Sequence, residues 1–125
     1  MAPDVTRDET PGRILGIGGI FFKSADHTAL RSWYQEKLGI QNGDYGGIFK
    51  WRRHDKPDAE QMTVWSIFPS KTAYFNPSES SFMVNYIVDD IDAKREDHDY
   101  GRFAWVYDPD GNKIELWEPI GPTPS

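Results

Sequence analysis

The polar and apolar positions between residues 14 and 38 change from a strand pattern to a helix pattern. The apolar run Ile14 to Lys23 predicts a strand, and its glycines leave space for a neighbouring backbone or a ligand. The following positions repeat with the three- and four-residue spacing of one helix face: Leu30, Trp33, Tyr34, Lys37 and Leu38. Ser24 or Asp26 is placed to cap this helix, and Gly39 stands where a left-handed stop is expected.

The rest of the chain predicts strands separated by loops. Three segments have the β-favouring composition and flanking turn residues of strands: Ile48 to Arg52, Met62 to Phe68 and Thr72 to Phe75. Phe82 to Val88 is apolar except for Asn85 and runs into an acidic helix start. The last pattern is a hairpin, in which the type I turn Asp108 to Gly111 joins Arg102 to Tyr107 and Asn112 to Glu118.

Length and charge narrow the class of protein. The 125 residues allow one domain with a hydrophobic core, which we place at residues 13–120. We expect residues 1–12 and 121–125 to be disordered, because they are rich in Pro, Gly and polar residues. With 14 basic and 20 acidic residues the net charge is −6, which argues against a nucleic-acid partner.

Composition adds a cellular context and a hint of function. No apolar run reaches the roughly 18 residues of a membrane span, and the polar N-terminus lacks the apolar core of a secretory signal, so we expect a soluble cytoplasmic protein. The absence of cysteine excludes a disulfide framework and a thiolate zinc site. Aromatic residues make up 14% of the chain, which favours a sheet with a lined cavity or an interface.

Four stretches resemble the vicinal oxygen chelate (VOC) superfamily of glyoxalases, bleomycin-resistance proteins and ring-cleaving dioxygenases. They are ILGIGGIFFKSADHTALRSWYQEKLGI, MTVWSIFPSKTAYF, FMVNYIVDDIDA and FAWVYDPDGNKIELWEPI. The resemblance implies an α+β fold of paired βαβββ modules around a cup-shaped site, usually in a homodimer. The modules fall at about 13–77 and 82–120, and a displacement of 64 positions lays the first strand-to-helix junction on the second.

The second module is shorter than the resemblance implies. Only Asp90 to Tyr100 is available for both a helix and a strand, and this charged stretch has no apolar stripe after Ile91. A crossover with its own helix needs at least about 10 to 12 residues, so both cannot fit. We therefore expect a helix of at most two turns or a charged loop, with the uncovered sheet face hidden by a dimer partner or an exchanged element.

The resemblance also places the metal ligands of the metal-dependent members. These positions fall on Gly19, Met83, Trp65 or Ser66, and Glu115. Among these residues only Glu115 is a good ligand, and one carboxylate does not hold zinc, nickel or iron. We therefore expect no metal or other cofactor, although a divalent metal stays possible if another residue is recruited.

The remaining candidates have both structural and functional interpretations. Glu115 either pairs with Arg102 across the hairpin or serves a ligand. His98, in the shortened crossover, is either solvated or acts as a base or replacement metal ligand. Asn85 is a hydrogen-bonded core amide or a pocket residue. Three tryptophans either pack in the core or stack on a planar ligand: Trp65, Trp105 and Trp117.

Three functions are compatible with these observations. The first is binding of a small aromatic or amphipathic molecule in a sheet-lined cup formed by Trp65, Asn85, Arg102, Trp105, Glu115 and Trp117. The second is a VOC-type metalloenzyme, a lyase, isomerase or dioxygenase, with Glu115 as base or ligand and His98 recruited. The third is a non-catalytic assembly scaffold. Whether the chain is an enzyme stays open at this point.

Overall fold

The computed structural model describes residues 13–41, 43, 46–89, 91, 96–98 and 101–119. It is an α+β structure whose elements are, in chain order, β1 (Ile14–Ser24), α1 (His27–Leu38), β2 (Gly47–Arg52), β3 (Glu60–Pro69), β4 (Phe82–Val88), β5 (Glu96–His98), β6 (Gly101–Tyr107) and β7 (Lys113–Pro119). The segments expected to be disordered, 1–12 and 121–125, lie outside the described residues.

The seven strands form one mixed sheet in the order β2-β3-β1-β4-β7-β6-β5. Its two halves repeat one connectivity. In the first half β1 pairs parallel with β3, which pairs antiparallel with β2. In the second half β4 pairs parallel with β7, which pairs antiparallel with β6. The antiparallel pair β1–β4 joins the halves at the centre of the sheet.

Helix α1 confirms the sequence prediction, including its ends. Asp26 is the N-cap and accepts the Ala29 N–H at 3.0 Å, which satisfies one of the donors that a helix start leaves unpaired. Gly39 adopts the left-handed conformation at φ 74° and ends the helix. Tyr34 docks the helix on the sheet, with its ring 4.8 Å from that of Trp65.

The alternation of side chains gives the sheet two different faces. One face, called here the α1 face, carries Trp65 under the helix and, in the second half, the buried cluster of Val88, Ile91, Ala104 and Leu116. The other, called here the Glu115 face, carries Met83, Asn85 and Ile87 on β4 beside Glu115 and Trp117 on β7. A polar pair therefore lies in the middle of an otherwise apolar strip.

The segment between β3 and β4 covers one end of the Glu115 face. The strand predicted at Thr72 to Phe75 is wrong, because these residues form turns, with the Asn76 N–H donating to the Ala73 carbonyl at 3.0 Å. Phe75 is completely buried against Phe21 and Met83. Burial of one such ring contributes about 1.5 to 3 kcal/mol, so Phe75 fixes this segment to the sheet.

The predicted hairpin is confirmed, and its turn is held by the Asp108 carboxylate. Gly111 N–H donates to the Asp108 carbonyl at 2.9 Å, as a type I turn requires. The carboxylate accepts the Asn112 side-chain amide at 3.0 Å and the backbone N–H groups of Asn112 and Asp110. These hydrogen bonds, that of the Asn112 side chain above all, lower the pKa of Asp108.

The predicted pair of Arg102 with Glu115 requires both side chains to lie on one face of the hairpin, but the observed register is shifted by one residue from such an arrangement. Trp105 lies opposite Glu115, and Arg102 lies opposite Glu118. The predicted Arg102–Glu115 pair is therefore wrong: a shift of one position moves Arg102 to the other face of the sheet, where its guanidinium bonds Glu118 at 3.3 Å.

The shortened crossover provides an edge strand. Glu96–His98 pairs with the start of β6, so part of the crossover extends the sheet. Residues 92–95, where the expected helix stump would lie, are outside the described residues.

Within the described ranges, no helix has the length and apolar character needed to cross a membrane.

Candidate functional site

A buried carboxylate is the centre of the candidate site. Glu115 is only 3% exposed. Its Oε1 accepts the Asn85 side-chain N–H at 2.7 Å, and its Oε2 accepts both the Trp105 indole N–H at 3.0 Å and the Tyr74 hydroxyl. A charged acceptor strengthens such hydrogen bonds, and three of them offset much of the cost of removing the carboxylate from water.

Strand register brings two of these three donors to Glu115. Asn85 is the parallel-strand partner of Glu115 on β4, and Trp105 is its antiparallel partner on β6. Partners on adjacent strands project from the same face and lie close enough for their side chains to interact. The middle strand of the three therefore receives a donor from each neighbour.

Tyr74 reaches the carboxylate from outside the sheet. Its position is fixed by the burial of Phe75 next to it and by its ring, which stacks on Phe68 with a centroid distance of 5.8 Å. Lys113 holds the same residue from β7, because its ammonium donates to the Tyr74 carbonyl at 2.9 Å. The loop after β3 is thus connected to the strand that carries Glu115.

A cavity of about 410 Å³ lies above this cluster. It is lined by Tyr74, Glu96, His98, Phe103, Trp105 and Lys113. The volume is within the range of small-molecule sites, although toward its lower end. Tyr74 and Trp105 belong to both the cavity wall and the donor set of Glu115, so the buried carboxylate fixes two of the aromatic walls.

Aromatic rings continue from the cavity into the core. Phe103 lies nearly parallel to Trp105, at 6.4 Å between centroids, and to Trp117, at 6.0 Å. Trp117 is 7% exposed and supports Phe103 from behind. In this row Phe103 and Trp105 line the cavity, and a planar ligand can pack against such a wall.

The side-chain amide of Asn85 has one oxygen without a hydrogen-bond partner among the described residues. The residue is 2% exposed, and its Oδ1 finds no hydrogen-bond donor among the described residues. An ideal Cβ on Gly18 would lie 2.2 Å from this oxygen, so only glycine fits there. Leaving a buried carbonyl unpaired costs roughly 1 to 3 kcal/mol, which offsets part of the stabilisation from the Asn85–Glu115 hydrogen bond.

The structure gathers only part of the predicted site. Asn85, Trp105, Glu115 and Trp117 lie together on the Glu115 face, as described above. Trp65 lies on the α1 face, where it packs against Phe22 and Tyr34 at centroid distances of 5.5 and 4.8 Å. Arg102 also projects from that face, through its pair with Glu118. Neither residue joins the Glu115 cluster.

His98 lines the cavity as a member of its rim. Its Nε2 lies 3.2 Å from a carboxylate oxygen of Glu96, and its ring contacts the edge of Phe103 at 5.6 Å. His98 and Glu115, which the metalloenzyme hypothesis pairs, are linked through the aromatic wall, because Phe103 lies against Trp105 and Trp105 donates to Glu115.

Four cavity residues were not recognised from the sequence. The sequence predicts a strand at Tyr74, whose role depends on a turn that only packing reveals. Phe103 lies on this face because the hairpin register is shifted by one residue from the predicted one. Glu96 belongs to the crossover for which the sequence predicts a helix stump or a charged loop. The spacing of Lys113, Glu115 and Trp117 at every second position was the one signal that could have placed Lys113 on this face.

The chain does not fit the metal site that the resemblance implies. Of the implied positions, Gly19, Met83 and Trp65 offer no hard ligand and Ser66 offers a single hydroxyl. The carboxylate of Glu115 already accepts three protein donors. Across the described part of the chain, no three histidine, aspartate or glutamate side chains form a group able to hold a metal ion.

Comparisons with known proteins leave the family undecided. No family model matches the sequence, and a search of curated proteins finds no significant relative.

Proposed function

We propose that this protein binds a small aromatic or amphipathic molecule in the cavity above Glu115. The observation that carries the proposal is that Tyr74 and Trp105 both line the cavity and both donate to the buried carboxylate. Aromatic walls that are fixed before binding lose little conformational entropy when a ligand arrives. The carboxylate is then a positioning group for the walls, because its oxygens are directed toward its donors.

The repeated connectivity of the sheet supports assignment to the VOC superfamily with a shortened second module. Each half pairs its first strand parallel with its last, so the sheet consists of two units of like connectivity, which suits a pair of related modules. The proposal includes a cup-shaped site and a homodimer. Sedimentation velocity at micromolar concentration tests the dimer, and a stable monomer would contradict it.

Binding is tested with 2-naphthylmethanol, an uncharged bicyclic probe. Calorimetry should give a saturable isotherm. In a ¹H–¹⁵N spectrum of the same titration, the five tryptophan indole signals report where the probe binds. We expect the Trp105 indole to shift most and that of Trp33, 48% exposed on α1, to stay unchanged. Absence of saturable binding, or equal shifts of both indoles, would contradict the proposal.

A pair of identical substitutions checks the location independently. Trp105→Leu removes a cavity wall and should weaken binding at least about tenfold, since each lost factor of ten corresponds to about 1.4 kcal/mol. Trp33→Leu removes an indole from the exposed side of α1 and should leave the affinity unchanged. Circular dichroism and thermal unfolding of each variant confirm that it is folded.

A further inference from the structure

We propose that the cavity selects aromatic anions, with Lys113 as the residue that sets this charge preference. The inference rests on the proposed binding function and specifies the chemical class of the ligand: a planar ring system bearing a carboxylate or a similar anionic oxygen group. Three observations support it: the position of the Lys113 ammonium, the polar contacts of the Glu96 and Glu115 carboxylates, and the parallel rings of the cavity wall.

Lys113 places a positive charge in the cavity wall. Its Nζ lies 5.4 Å from the ring centroid of Tyr74 and 5.7 Å from that of Trp105. Both distances are within the range of cation–π attraction, and the hydrogen bond to the Tyr74 carbonyl fixes the ammonium further. An ammonium has three N–H donors, and that carbonyl accepts one of them. The group is therefore held in place with further donor capacity.

The same geometry disfavours a cationic ligand. The aromatic faces of Tyr74 and Trp105 would ordinarily attract a cation, but the Lys113 ammonium already lies over both. A second cation at this wall would meet a like charge in a partly desolvated space, where repulsion is stronger than in water.

The two carboxylates near the cavity are each engaged by donors. Glu96 lies 3.2 Å from the His98 ring nitrogen. Glu115 is buried beneath the wall and accepts the donors of Tyr74, Asn85 and Trp105. Among the described residues that line the cavity, Lys113 and the titratable His98 are the two that can present positive charge to a ligand. A ring packed on Phe103 and Trp105 can direct an anionic group toward Lys113.

The test compares three naphthalene probes of matched size by calorimetry: 2-naphthoate, 2-naphthylmethanol and 2-naphthylmethylammonium. We expect naphthoate to bind about tenfold more tightly than the alcohol and the ammonium to bind least, because a hydrogen bond between two charged groups is worth about one factor of ten. In Lys113→Gln the preference for naphthoate over the alcohol should disappear, so that the ratio of the two affinities falls from about ten to about one.

Two further variants separate charge from structure. Lys113→Arg keeps a cation at the wall and should retain the preference for naphthoate. Lys50→Gln removes the same charge from an exposed position on β2 and should leave all three affinities unchanged. The naphthoate preference should also decrease as salt is raised, while binding of the alcohol should not.

The outcomes distinguish the two proposals. If none of the three probes binds, the binding function fails and this inference fails with it. If the alcohol binds but naphthoate gains no advantage, or if Lys113→Gln leaves the naphthoate affinity unchanged, only the charge preference is overturned. Tighter binding of the ammonium probe would also overturn it while leaving the binding function intact.

Discussion

Asn85 and Glu115 lie directly opposite each other on the parallel pair β4–β7, and the Asn85 amide donates to the Glu115 carboxylate at 2.7 Å. This polar pair is nearly inaccessible to solvent, and its neighbours on the same face are Met83 and Ile87 on β4 and Lys113 and Trp117 on β7. The Asn85 amide occupies Oε1 of Glu115 and thereby leaves Oε2 to accept the donors of Tyr74 and Trp105.

Truncation of Glu115 should be costly, and a conservative change should be less so. Glu115→Ala leaves the donors of Tyr74, Asn85 and Trp105 unpaired, so we expect the free energy of unfolding to fall by about 3 kcal/mol or more. Glu115→Gln keeps an acceptor for Tyr74 and Trp105 and should cost roughly half as much. Urea denaturation at neutral pH measures both.

Coupling to Asn85 gives the control for this prediction. The double variant Asn85→Ala, Glu115→Ala should lose less free energy of unfolding than the two single variants lose together. We expect the difference to be about 1 to 2 kcal/mol. Equal destabilisation by Glu115→Ala and Glu115→Gln, with no coupling to Asn85, would mean that the hydrogen bonds around the carboxylate do not stabilise the fold.

Gly101 should tolerate no side chain. Its φ is 153°, and an added Cβ would lie 2.4 Å from the Trp117 indole nitrogen. We expect Gly101→Ala to destabilise by about 3 kcal/mol, as overpacking and backbone strain act together. Gly111 has φ 86° but open space around its Cβ, so Gly111→Ala should cost only about 1 kcal/mol. Thermal unfolding compares the two, and a similar loss in both would contradict the predicted clash with Trp117.

The hairpin turn should make stability depend on pH in the acid range. Hydrogen bonds from the Asn112 side chain and from backbone N–H groups lower the pKa of Asp108 from its ordinary value of 3.8. A carboxylate whose folded-state pKa is depressed stabilises the fold above its ordinary pKa, and this stabilisation is lost as the pH falls through the folded-state value. Asp108→Asn should therefore lower the urea midpoint near neutral pH and lose its effect in strong acid.

Asp110→Asn is the matched control, because it removes one charge from the same turn. The urea midpoints of the wild type, Asp108→Asn and Asp110→Asn are measured at several acid pH values. They distinguish the loss of the hydrogen-bonded Asp108 carboxylate from the loss of one negative charge in the turn. If the difference between wild type and Asp108→Asn does not shrink as the pH falls, the hydrogen-bonded carboxylate is not the source of the pH dependence.

Local signals were sufficient for most of the secondary structure. The cap at Asp26, the left-handed Gly39 and the Asp108 to Gly111 turn are interactions between residues close in sequence, and each was predicted and then confirmed. The strand predicted at Thr72 to Phe75 was wrong. Phe75 is apolar because it is buried against Phe21 and Met83, and such contacts between distant segments are not visible in the local sequence.

The site divides in the same way. Asn85, Trp105 and Trp117 were identifiable from their residue types and positions in predicted strands, and Glu115 from the resemblance. The contacts between them were not, because a shift of one residue in the register puts Trp105 opposite Glu115 and Arg102 on the other face, and Tyr74 reaches the carboxylate from a turn. Sequence by itself determined the elements, because capping and turn hydrogen bonds are local. Tertiary structure decided which donors meet the carboxylate, because strand register and loop packing depend on the burial of the whole sheet.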